Sequence, residues 1–457
     1  MSNPIAGLFT WKLHGDGKTL KPGEVVEPDE RLTWPRTAEI GAQHVIAMFG
    51  ATFLVPILTG FDPSTTLFFT AMSTALFLLI NKNMLPSYLG SSFAFIGVVI
   101  AATGYAAGSG PNPNIPVALG GIIICGLIYC AVGLIVMSTG VKWIERLMPP
   151  VVTGAVVAVI GLNLAPTAVK SVGPTAFDAW IAILTVICVG GVAVYTRGLI
   201  QKLLILVGLS LAYAIYAILT NGLGLGGTPI NFGRIAEAAW FGIPQFETPV
   251  FSISAITLIA PVVIILVGEN LGHIKAVTAM TGRNLDPYMG RAFLGDGLAT
   301  MFSASFGGTG VTTYGENIGV MAATRVYSTL LFPVAAVFAI ILGFSPKFGA
   351  VIQTIPQPIL GGTSIVVFGL IAVAGARVWV VNHVDFGDNR NLIVAAVTLI
   401  LGAGDFTIHI GSFTLGGIGT ATFGAIILNA LMELGERHVQ GEKEPEPHEA
   451  DLDGKSQ

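Results

Sequence analysis

Apolar runs long enough to cross a lipid bilayer recur along almost the whole chain. Examples lie at 117–138, 203–220, 253–268 and 329–344. A helix needs about 20 apolar residues to cross the hydrocarbon core of a membrane. One soluble core cannot bury so many such segments, and the 457 residues are accordingly 53% hydrophobic and only 11% charged. The sequence therefore predicts an all-α polytopic membrane protein.

The basic residues are distributed unevenly between alternate loops. With the N-terminus in the cytoplasm, all but three of the 22 Lys and Arg residues fall in cytoplasmic segments, and the exceptions are Lys170, Arg234 and Lys347. Because cytoplasmic loops of membrane proteins are enriched in Lys and Arg, an even number of spans with both termini cytoplasmic is predicted. Fourteen spans satisfy this pattern. The polar start before the first span is not that of a cleaved signal peptide.

Composition and motifs argue against several other classes of protein. The net charge is −4 and the basic residues are scattered, so nucleic acid is not expected as a partner. Cys125, Cys130 and Cys188 lie inside apolar runs without metal-ligand spacing, so neither a disulfide framework nor a metal site is predicted. GxSxG, HExxH and P-loop motifs are absent, so we expect no enzyme activity and no cofactor.

Two unusually short spans contain similar sequence motifs. SSFAFIGVV at 91–99 and TTYGENIGVM at 312–321 each contain two hydroxyl residues, an aromatic residue and then IGV. In a fourteen-span count they are the third and tenth spans, which is an odd offset of seven. The two halves of the chain are therefore predicted to form inverted seven-span repeats, with a binding site at the matching short spans. The alternative is that short similar words arise by chance in a chain so rich in Gly, Ala, Val and Ile.

The backbone of these short spans is predicted to be extended at first and helical afterwards. Unpaired peptide groups cost several kcal/mol in hydrocarbon, so such a break requires a protein-lined cavity. Two helix N-termini would then point at one site, where their free N–H groups and partial positive charge suit the carbonyl oxygens of a ligand.

Two acids interrupt apolar spans, and both occur in the same four-residue pattern. Glu269 begins the word ENLG and Glu316 begins the word ENIG. An ionisable side chain inside a span is costly, so it indicates binding or proton transfer by default. The alternative is a structural ion pair inside the helix bundle. Asp296 and Asp405 lie near the ends of spans and are weaker candidates.

Two histidines accompany these acids. His273 follows Glu269 by four residues, so the two side chains share one helix face and can exchange a proton in a cavity. A structural hydrogen bond is the alternative role for His273. Gln43 and His44 begin the first apolar span, where a hydrogen bond to the broken spans is at least as plausible a role as ligand contact.

At this point the residues resemble the nucleobase/ascorbate transporters (nucleobase:cation symporter-2), and within them the bacterial uracil and pyrimidine permeases. The family signature is an acid or Gln, then Asn, any residue and Gly, followed after four residues by Thr and a basic residue. Here it is matched by Glu316-Asn317-Ile318-Gly319 and Thr324-Arg325. The resemblance covers about residues 36–435, and the other matching elements are Gln43-His44, LGSSFAF at 89–95, and Glu269 with His273.

The resemblance implies a domain organisation. Between polar tails at 1–36 and 436–457, the family fold places a core domain at 37–140 and 251–345, and a gate domain at 141–250 and 346–435. Spans 1–4 and 8–11 would form the core domain, and spans 5–7 and 12–14 the gate domain. Members are similar in being proton-coupled importers that dimerise through the gate domain, here in the bacterial inner membrane with both termini cytoplasmic.

The resemblance also implies a uracil site. The side chains of Glu269 and Glu316 would contact the substrate together with the backbone at Phe93 and Gly315, while Glu269 and His273 would couple transport to protons. Phe93 or Tyr314 can cover the face of the ring. Ser92, Thr313, Asn317, Gln43 and His44 are supporting residues. Phe368 stands where some uracil permeases have a tyrosine, which removes a possible hydroxyl contact.

Chemistry read from the residues agrees with a uracil site. Uracil has two ring N–H donors, which carboxylates accept, and two carbonyl oxygens, which helix N-terminal amides can bind. The sequence thus predicts import of uracil or a related pyrimidine by proton symport and alternating access. Alternatives are a purine or xanthine permease, an anion transporter or exchanger of the same architecture, and a passive channel. The two acids at the site disfavour an anion as substrate. A passive channel would need a continuous polar pore lining, and the sequence does not show one.

Overall fold

The computed structural model describes residues 10–21, 23–105, 110–411 and 413–441. The first nine residues of the predicted N-terminal tail lie outside the described residues. So do residues 442–457 of the predicted C-terminal polar tail.

Helices make up most of the described chain. The helices of its first half are α1 (Trp34–Thr59), α2 (Pro63–Ile80), α3 (Ala94–Thr103), α4 (Ile115–Thr139), α5 (Lys142–Leu147), α6 (Pro150–Asn163), α7 (Ala165–Lys170), α8 (Ala176–Tyr195), α9 (Leu199–Lys202), α10 (Leu204–Ala217) and α11 (Phe232–Glu237). Those of its second half are α12 (Ile253–Ile259), α13 (Val262–Thr281), α14 (Met289–Ser305), α15 (Gly315–Thr324), α16 (Leu331–Gly343), α17 (Pro346–Gln353), α18 (Gln357–Val381), α19 (Asn389–Ala403) and α20 (Gly417–Gly441). A π-helical turn at Ile218–Gly222 extends α10, and a 3₁₀ turn at Asp286–Tyr288 precedes α14.

Within the described residues, six short strands form three two-stranded sheets. Strands β1 (Lys12–Leu13) and β2 (Glu30–Arg31) pair in parallel near the N-terminus. Strands β3 (Leu89–Ser91) and β4 (Val311–Thr313) are antiparallel, as are β5 (Ile408–Ile410) and β6 (Phe413–Leu415). Of these, only the β3–β4 sheet joins segments from the two halves of the chain at the candidate site.

Nine helical segments in the described residues are long and apolar enough to cross a membrane. One of them is Ile253–Thr281, which combines α12 and α13 across a break that contains Pro261. Counting α16 and α17 as one span bent by 80° makes ten. The helices α3 and α19 are apolar but shorter. The chain therefore has the expected polytopic helical form, while the number fourteen stays a prediction because several segments are too short to count by length.

Local capping explains where some of the long helices begin. Asp62 caps α2, and its carboxylate accepts a hydrogen bond from the amide of Thr65 at 2.7 Å. Thr175 and Asp178 form a reciprocal capping box at the start of α8. These contacts satisfy backbone N–H groups that have no partner within the helix, so both helices begin at positions that the sequence defines.

Close packing divides the helices into two groups. In the first helix group, α4 packs on α14, and α2 and α1 pack on α16. The helices α3 and α13 pack on α4, and α15 packs on α1, so they belong to the same group. In the second helix group, α6 packs on α18 and α19, and α8 packs on α10 and α18. The linker helix α5 connects α4 of the first group to α6 of the second. The division of the chain into a core domain and a gate domain stays a prediction.

Glycines allow the closest of these contacts. A Cβ atom at Gly126 of α4 would lie 2.8 Å from the carbonyl oxygen of Gly297 on α14. A Cβ atom at Gly154 of α6 would lie 2.9 Å from the carbonyl oxygen of Gly375 on α18. Since lipid is as apolar as a helix surface, close van der Waals contact is what favours helix association in a membrane. Close helix–helix contact at glycines therefore stabilises both helix groups.

The polar segment before α1 is folded against the first helix group. Val26 forms a parallel bridge with Val326, donating its N–H to the carbonyl of Arg325 at 3.0 Å and accepting from Tyr327 at 2.8 Å. The indole of Trp11 donates to the hydroxyl of Thr329 at 2.8 Å. The sequence predicts only a polar tail here, so the packing of residues 10–21 and 23–33 against the helices is a finding of the structure.

Ion pairs connect this segment to the loop after α13. The guanidinium of Arg283 contacts Glu27 at 2.6 Å and Asp29 at 2.7 Å. Two loops, one after α13 and one after α15, are thereby bridged by the N-terminal segment. We call the side of the membrane that carries this segment the N-terminal face.

Candidate binding site in the cavity between the helix groups

The two predicted short spans meet at the β3–β4 sheet. Leu89 pairs with Thr313, Gly90 with Thr312 and Ser91 with Val311. Each strand is followed directly by a short helix, α3 or α15, of ten residues. The expected order of extended segment and then helix is therefore present in both spans. The sheet also satisfies the backbone groups that a break in a membrane helix exposes.

Helix α15 brings an acid to its own N-terminus. Tyr314 is extended at φ −105° and ψ 126°, Gly315 is the first helical residue, and Glu316 lies in the first turn. Free N–H groups and the positive end of the helix dipole favour negative charge or a carbonyl oxygen at this point.

A cavity of about 510 Å³ separates the two helix groups next to this helix end. The first helix group contributes predicted site residues to its wall, namely Ser92, Phe93, Glu269, His273, Tyr314, Gly315 and Glu316. The second helix group contributes apolar side chains of α6 and α18, including Val157, Ile160, Val367, Leu370 and Ile371. The cavity is thus mostly apolar, with most of its polar groups on the side of the first helix group, which is typical of a site for a small molecule.

Glu269 and His273 both reach this cavity from α13, as their spacing predicted. The imidazole Nδ1 of His273 lies 2.9 Å from the hydroxyl of Thr313 in β4. A Cβ atom added at Gly315 would lie 3.2 Å from the Nε2 of His273. The histidine is consequently held between the broken span and the first turn of α15, one helical turn from Glu269.

His44 and Asn317 contact each other outside the cavity. The amide of Asn317 lies 2.9 Å from the Nδ1 of His44 and donates to the His44 carbonyl oxygen at 3.2 Å. Both side chains are fully buried, and the imidazole packs on the ring of Phe332 with centroids 5.0 Å apart. Of the two roles considered for His44, the structure therefore shows the hydrogen bond to a broken span. Gln43 is half-buried and is not among the residues of the cavity wall.

The aromatic residues differ in their freedom to meet a ligand. The hydroxyl of Tyr314 donates to the carbonyl of Ser91 at 2.8 Å, and its ring occupies the space above Gly90. Phe93 is half-buried, and its ring meets Phe368 edge-on with centroids 6.2 Å apart. Phe93 is therefore the better placed of the two to cover a ligand ring, because Tyr314 is already held by its contacts with Ser91 and Gly90.

Asp296 has a more central position than its place in the sequence indicated. It is the eighth residue of α14, is fully buried, and accepts a hydrogen bond from the amide of Asn270 at 3.0 Å. The same amide donates to the hydroxyl of Tyr129 at 3.0 Å. Asp296 therefore lies near the end of the predicted span but deep in the packed bundle, hydrogen-bonded to the residue that follows Glu269. Asp405, by contrast, accepts from the amide of Gly417 after α19.

Arg377 on α18 lines the same cavity and was missed by sequence reasoning. A signal was available, because it is the only charged residue within Gln357–Val381 and a charge inside an apolar span indicates function by default. Among the described residues, no three His, Cys, Asp or Glu side chains cluster closely enough to hold a metal ion.

Comparison with known proteins identifies the family. A family model named Xan_ur_permease, with the description "Permease family", matches residues 36–411. The chain is 66% identical over 426 residues to a protein of Escherichia coli K12 named "Putative pyrimidine permease RutG", which covers 93% of this chain and 95% of that protein. The chain belongs to the nucleobase/ascorbate transporter family. This confirms the resemblance that the signature residues carry.

Other relatives of this permease agree. It is 40% identical over 423 residues to the uracil permease of Bacillus caldolyticus, covering 89% of this chain and 94% of the relative. It is 39% identical over 417 residues to the uracil permease of E. coli K12, covering 89% and 93%. The permease is therefore a membrane transport protein and not an enzyme.

Solved structures show that the permease shares its fold with transporters of low sequence identity. Murine Slc26a9, an anion transporter in the inward-facing state, aligns with a TM-score of 0.63 at 10% identity, covering 91% of this chain and 70% of that chain. The transmembrane domain of the cyanobacterial bicarbonate transporter BicA aligns with a TM-score of 0.54 at 15% identity, covering 87% and 95%. These likenesses concern the two-domain fold alone.

Proposed function

We propose that the permease imports uracil or a closely related pyrimidine base by proton symport. The observation that carries this proposal is that Glu269, Glu316 and His273 share one largely apolar cavity with the N-terminus of α15. The names of the relatives, which are uracil and pyrimidine permeases, support the same substrate class.

The substrate would be held by complementary hydrogen bonds. The carboxylates of Glu269 and Glu316 accept the two ring N–H groups, while the backbone at Gly315 and Phe93 binds a carbonyl oxygen. Phe93 covers one face of the ring. A planar molecule with alternating donors and acceptors fits such a site better than a simple anion does, since two nearby carboxylates repel an anion.

Glu269 and His273 would couple the transport of the substrate to the transport of protons. Glu316 lies at a helix N-terminus, where the dipole favours the ionised carboxylate. Glu269 lies within the longer helix α13, beside His273, where a carboxyl group can take up and release a proton. We assign coupling to Glu269 and His273, and fixed acceptance of a substrate N–H group to Glu316.

Transport would proceed by movement of the first helix group, as a core domain, against the second, as a gate domain. The proposed core domain comprises 37–140 and 251–345, and the proposed gate domain 141–250 and 346–435, within fourteen spans in two inverted repeats. The antiparallel register of β3 and β4 supports an inverted relation between the halves.

Orientation and assembly complete the proposal. The N-terminal face would be cytoplasmic, because basic residues concentrate in the segments assigned to that side. The protein would lie in the bacterial inner membrane as a dimer formed through the gate domain, whose outer faces expose many apolar side chains. If cysteines engineered at several gate-domain positions gave no cross-linked dimers in membranes, the proposed dimer would be contradicted.

One assay tests substrate and coupling together. Uptake of labelled uracil into proteoliposomes should be concentrative with an inward proton gradient, and should disappear when the gradient is collapsed. Unlabelled pyrimidines should compete, while xanthine, ascorbate and bicarbonate should not. Accumulation that needs a sodium gradient instead would contradict proton symport, and competition by bicarbonate alone would favour the anion-transporter alternative.

A further inference from the structure

The linker helix α5 has one face fixed to the protein and one face exposed. Ile144 is only 2% exposed, and the carboxylate of Glu145 contacts the ammonium of Lys275 on α13 at 2.8 Å. The opposite face presents Lys142, Trp143 and Arg146 outward. Since Glu145 is already paired with Lys275, the outward face carries two positive charges and no acid of its own.

These outward residues form one wall of an open groove of about 560 Å³. Its other wall is the last turn of α4, with Ile135 and Thr139. The indole N–H of Trp143 donates to the hydroxyl of Thr139 at 3.1 Å, which holds the indole across the junction between the two helices. In the described part of the chain, neither Lys142 nor Arg146 makes an ion pair or a side-chain hydrogen bond with another residue.

Apolar side chains continue from the groove along the outer surface of α4. The exposed members are Leu127, Ile128, Leu134, Ile135 and Met137. Cations beside an exposed apolar stripe, with a tryptophan between them, match a molecule that has an anionic head and hydrocarbon chains. Tryptophan is enriched at the membrane interface, and basic residues there attract anionic lipid head groups.

We propose that the groove between α4 and α5, lined by Ile135, Thr139, Lys142, Trp143 and Arg146, binds an anionic phospholipid. Lys142 and Arg146 hold the phosphate, and an acyl chain lies along α4 over Ile135. A free phosphate ion would use the two cations but not the apolar stripe. The site lies on the linker between the two helix groups, so a bound lipid contacts the segment that must adjust if the groups move relative to each other.

The proposal predicts that binding depends on lipid charge and on these two side chains. The purified full chain is reconstituted into nanodiscs of phosphatidylcholine alone, or with about one-fifth phosphatidylglycerol, and the retained phosphatidylglycerol is titrated by native mass spectrometry. Removing two interfacial cations in Lys142→Gln/Arg146→Gln should weaken binding about thirtyfold. The charge-preserving pair Lys142→Arg/Arg146→Lys should bind like wild type.

A matched control separates this groove from general surface charge. Lys18→Gln/Lys21→Gln removes the same charge from two exposed residues of the N-terminal segment and should leave binding unchanged. Wild-type affinity in Lys142→Gln/Arg146→Gln, or an equal loss in the control, would overturn the proposal. Equal stabilisation of the detergent-solubilised protein by inorganic phosphate and by phosphatidylglycerol would also overturn it, because the apolar stripe would then have no role.

Discussion

The amide of Asn270 on α13 donates a hydrogen bond to the carboxyl group of Asp296 on α14 across 3.0 Å, and both side chains are fully buried. The second N–H of the same amide reaches the hydroxyl of Tyr129 on α4, also at 3.0 Å. Helices α4, α13 and α14 therefore meet through one amide, and its residue directly follows Glu269 in α13. A polar network of this kind helps to determine how the helices pack, because each of its members needs a partner.

Asn270→Ala is expected to destabilise the protein. The change removes the amide that donates to the Asp296 carboxyl group, and a buried polar group that loses its partner costs about 1–3 kcal/mol. The Tyr129 hydroxyl keeps its hydrogen bond to the Leu266 carbonyl. The apparent melting temperature in detergent should fall by several degrees, and uracil affinity should fall with it. Asn382→Ala is the matched control, since that amide donates to the Val378 carbonyl at an exposed helix end. An unchanged melting temperature for Asn270→Ala would show that the network does not stabilise the fold.

The two glutamates at the cavity are expected to respond differently to the same substitution. Replacing a carboxylate acceptor by an amide removes a charge-assisted hydrogen bond worth roughly 1.5–3 kcal/mol. Glu316→Gln should therefore bind uracil about ten- to a hundredfold more weakly. Glu269→Gln imitates the protonated residue, so it should retain some binding and counterflow while losing accumulation driven by a pH gradient.

Calorimetry and two transport assays separate these outcomes. Binding is measured with uracil, exchange with preloaded vesicles, and coupling with an imposed pH gradient. If Glu269→Gln still concentrates uracil, or if Glu316→Gln binds like wild type, the assigned roles are wrong. His273→Ala should reduce proton-driven uptake more than equilibrium binding.

Gly315 is expected to be sensitive even to a methyl group. A Cβ atom at this position would lie 3.2 Å from the Nε2 of His273, so either the imidazole or the start of α15 must shift. Overpacking of this kind typically costs about 1–3 kcal/mol of folding stability. Gly315→Ala should therefore weaken uracil binding, because His273 and the start of α15 both line the cavity. Gly319→Ala on the same helix is the control, because nothing lies within 4 Å of its added carbon. Equal affinities for the two variants would contradict the crowding.

The contact between Arg283 and Asp29 is expected to make docking of the N-terminal segment dependent on pH. Partial burial opposes ionisation of Asp29, but the hydrogen bond and charge of Arg283 outweigh it and hold the pKa below its ordinary value of 3.8. A depressed carboxyl pKa stabilises the folded state above the ordinary value and stops doing so as the pH falls through the lowered one. Docking should therefore be complete at neutral pH and weaken below a pH of about 4.

Hydrogen exchange of residues 10–21 and 23–33 measures this docking. Arg283→Ala should raise exchange there already at neutral pH, because Glu27 and Asp29 both lose their partner. Arg36→Ala breaks an exposed ion pair with Glu39 inside α1 and should not affect the segment. The interpretation fails if Arg283→Ala leaves the exchange of the segment unchanged.

The amino-acid sequence alone was sufficient to predict the polytopic helical form, the two broken spans, and the residues Glu269, His273 and Glu316 on the cavity wall. These features are local. An apolar run of spanning length, a carboxylate inside such a run, and a spacing of four residues on one helix each have consequences that neighbouring residues already determine. The family signature at 316–325 indicated the substrate class for the same reason, because the signature is a contiguous sequence motif.

The partners of these residues were decided only by the tertiary structure. Asn270 meets Asp296, and His44 meets Asn317, because helices far apart in the chain pack in one particular register. Nothing in either sequence neighbourhood specifies that register. Arg377 faces the cavity only because α18 lies opposite the broken spans. The polar residues 10–21 and 23–33 pack against the helices only because loops after α13 and α15 supply their partners. Local patterns determine which groups are costly to bury, whereas packing between distant elements determines how each of them is satisfied.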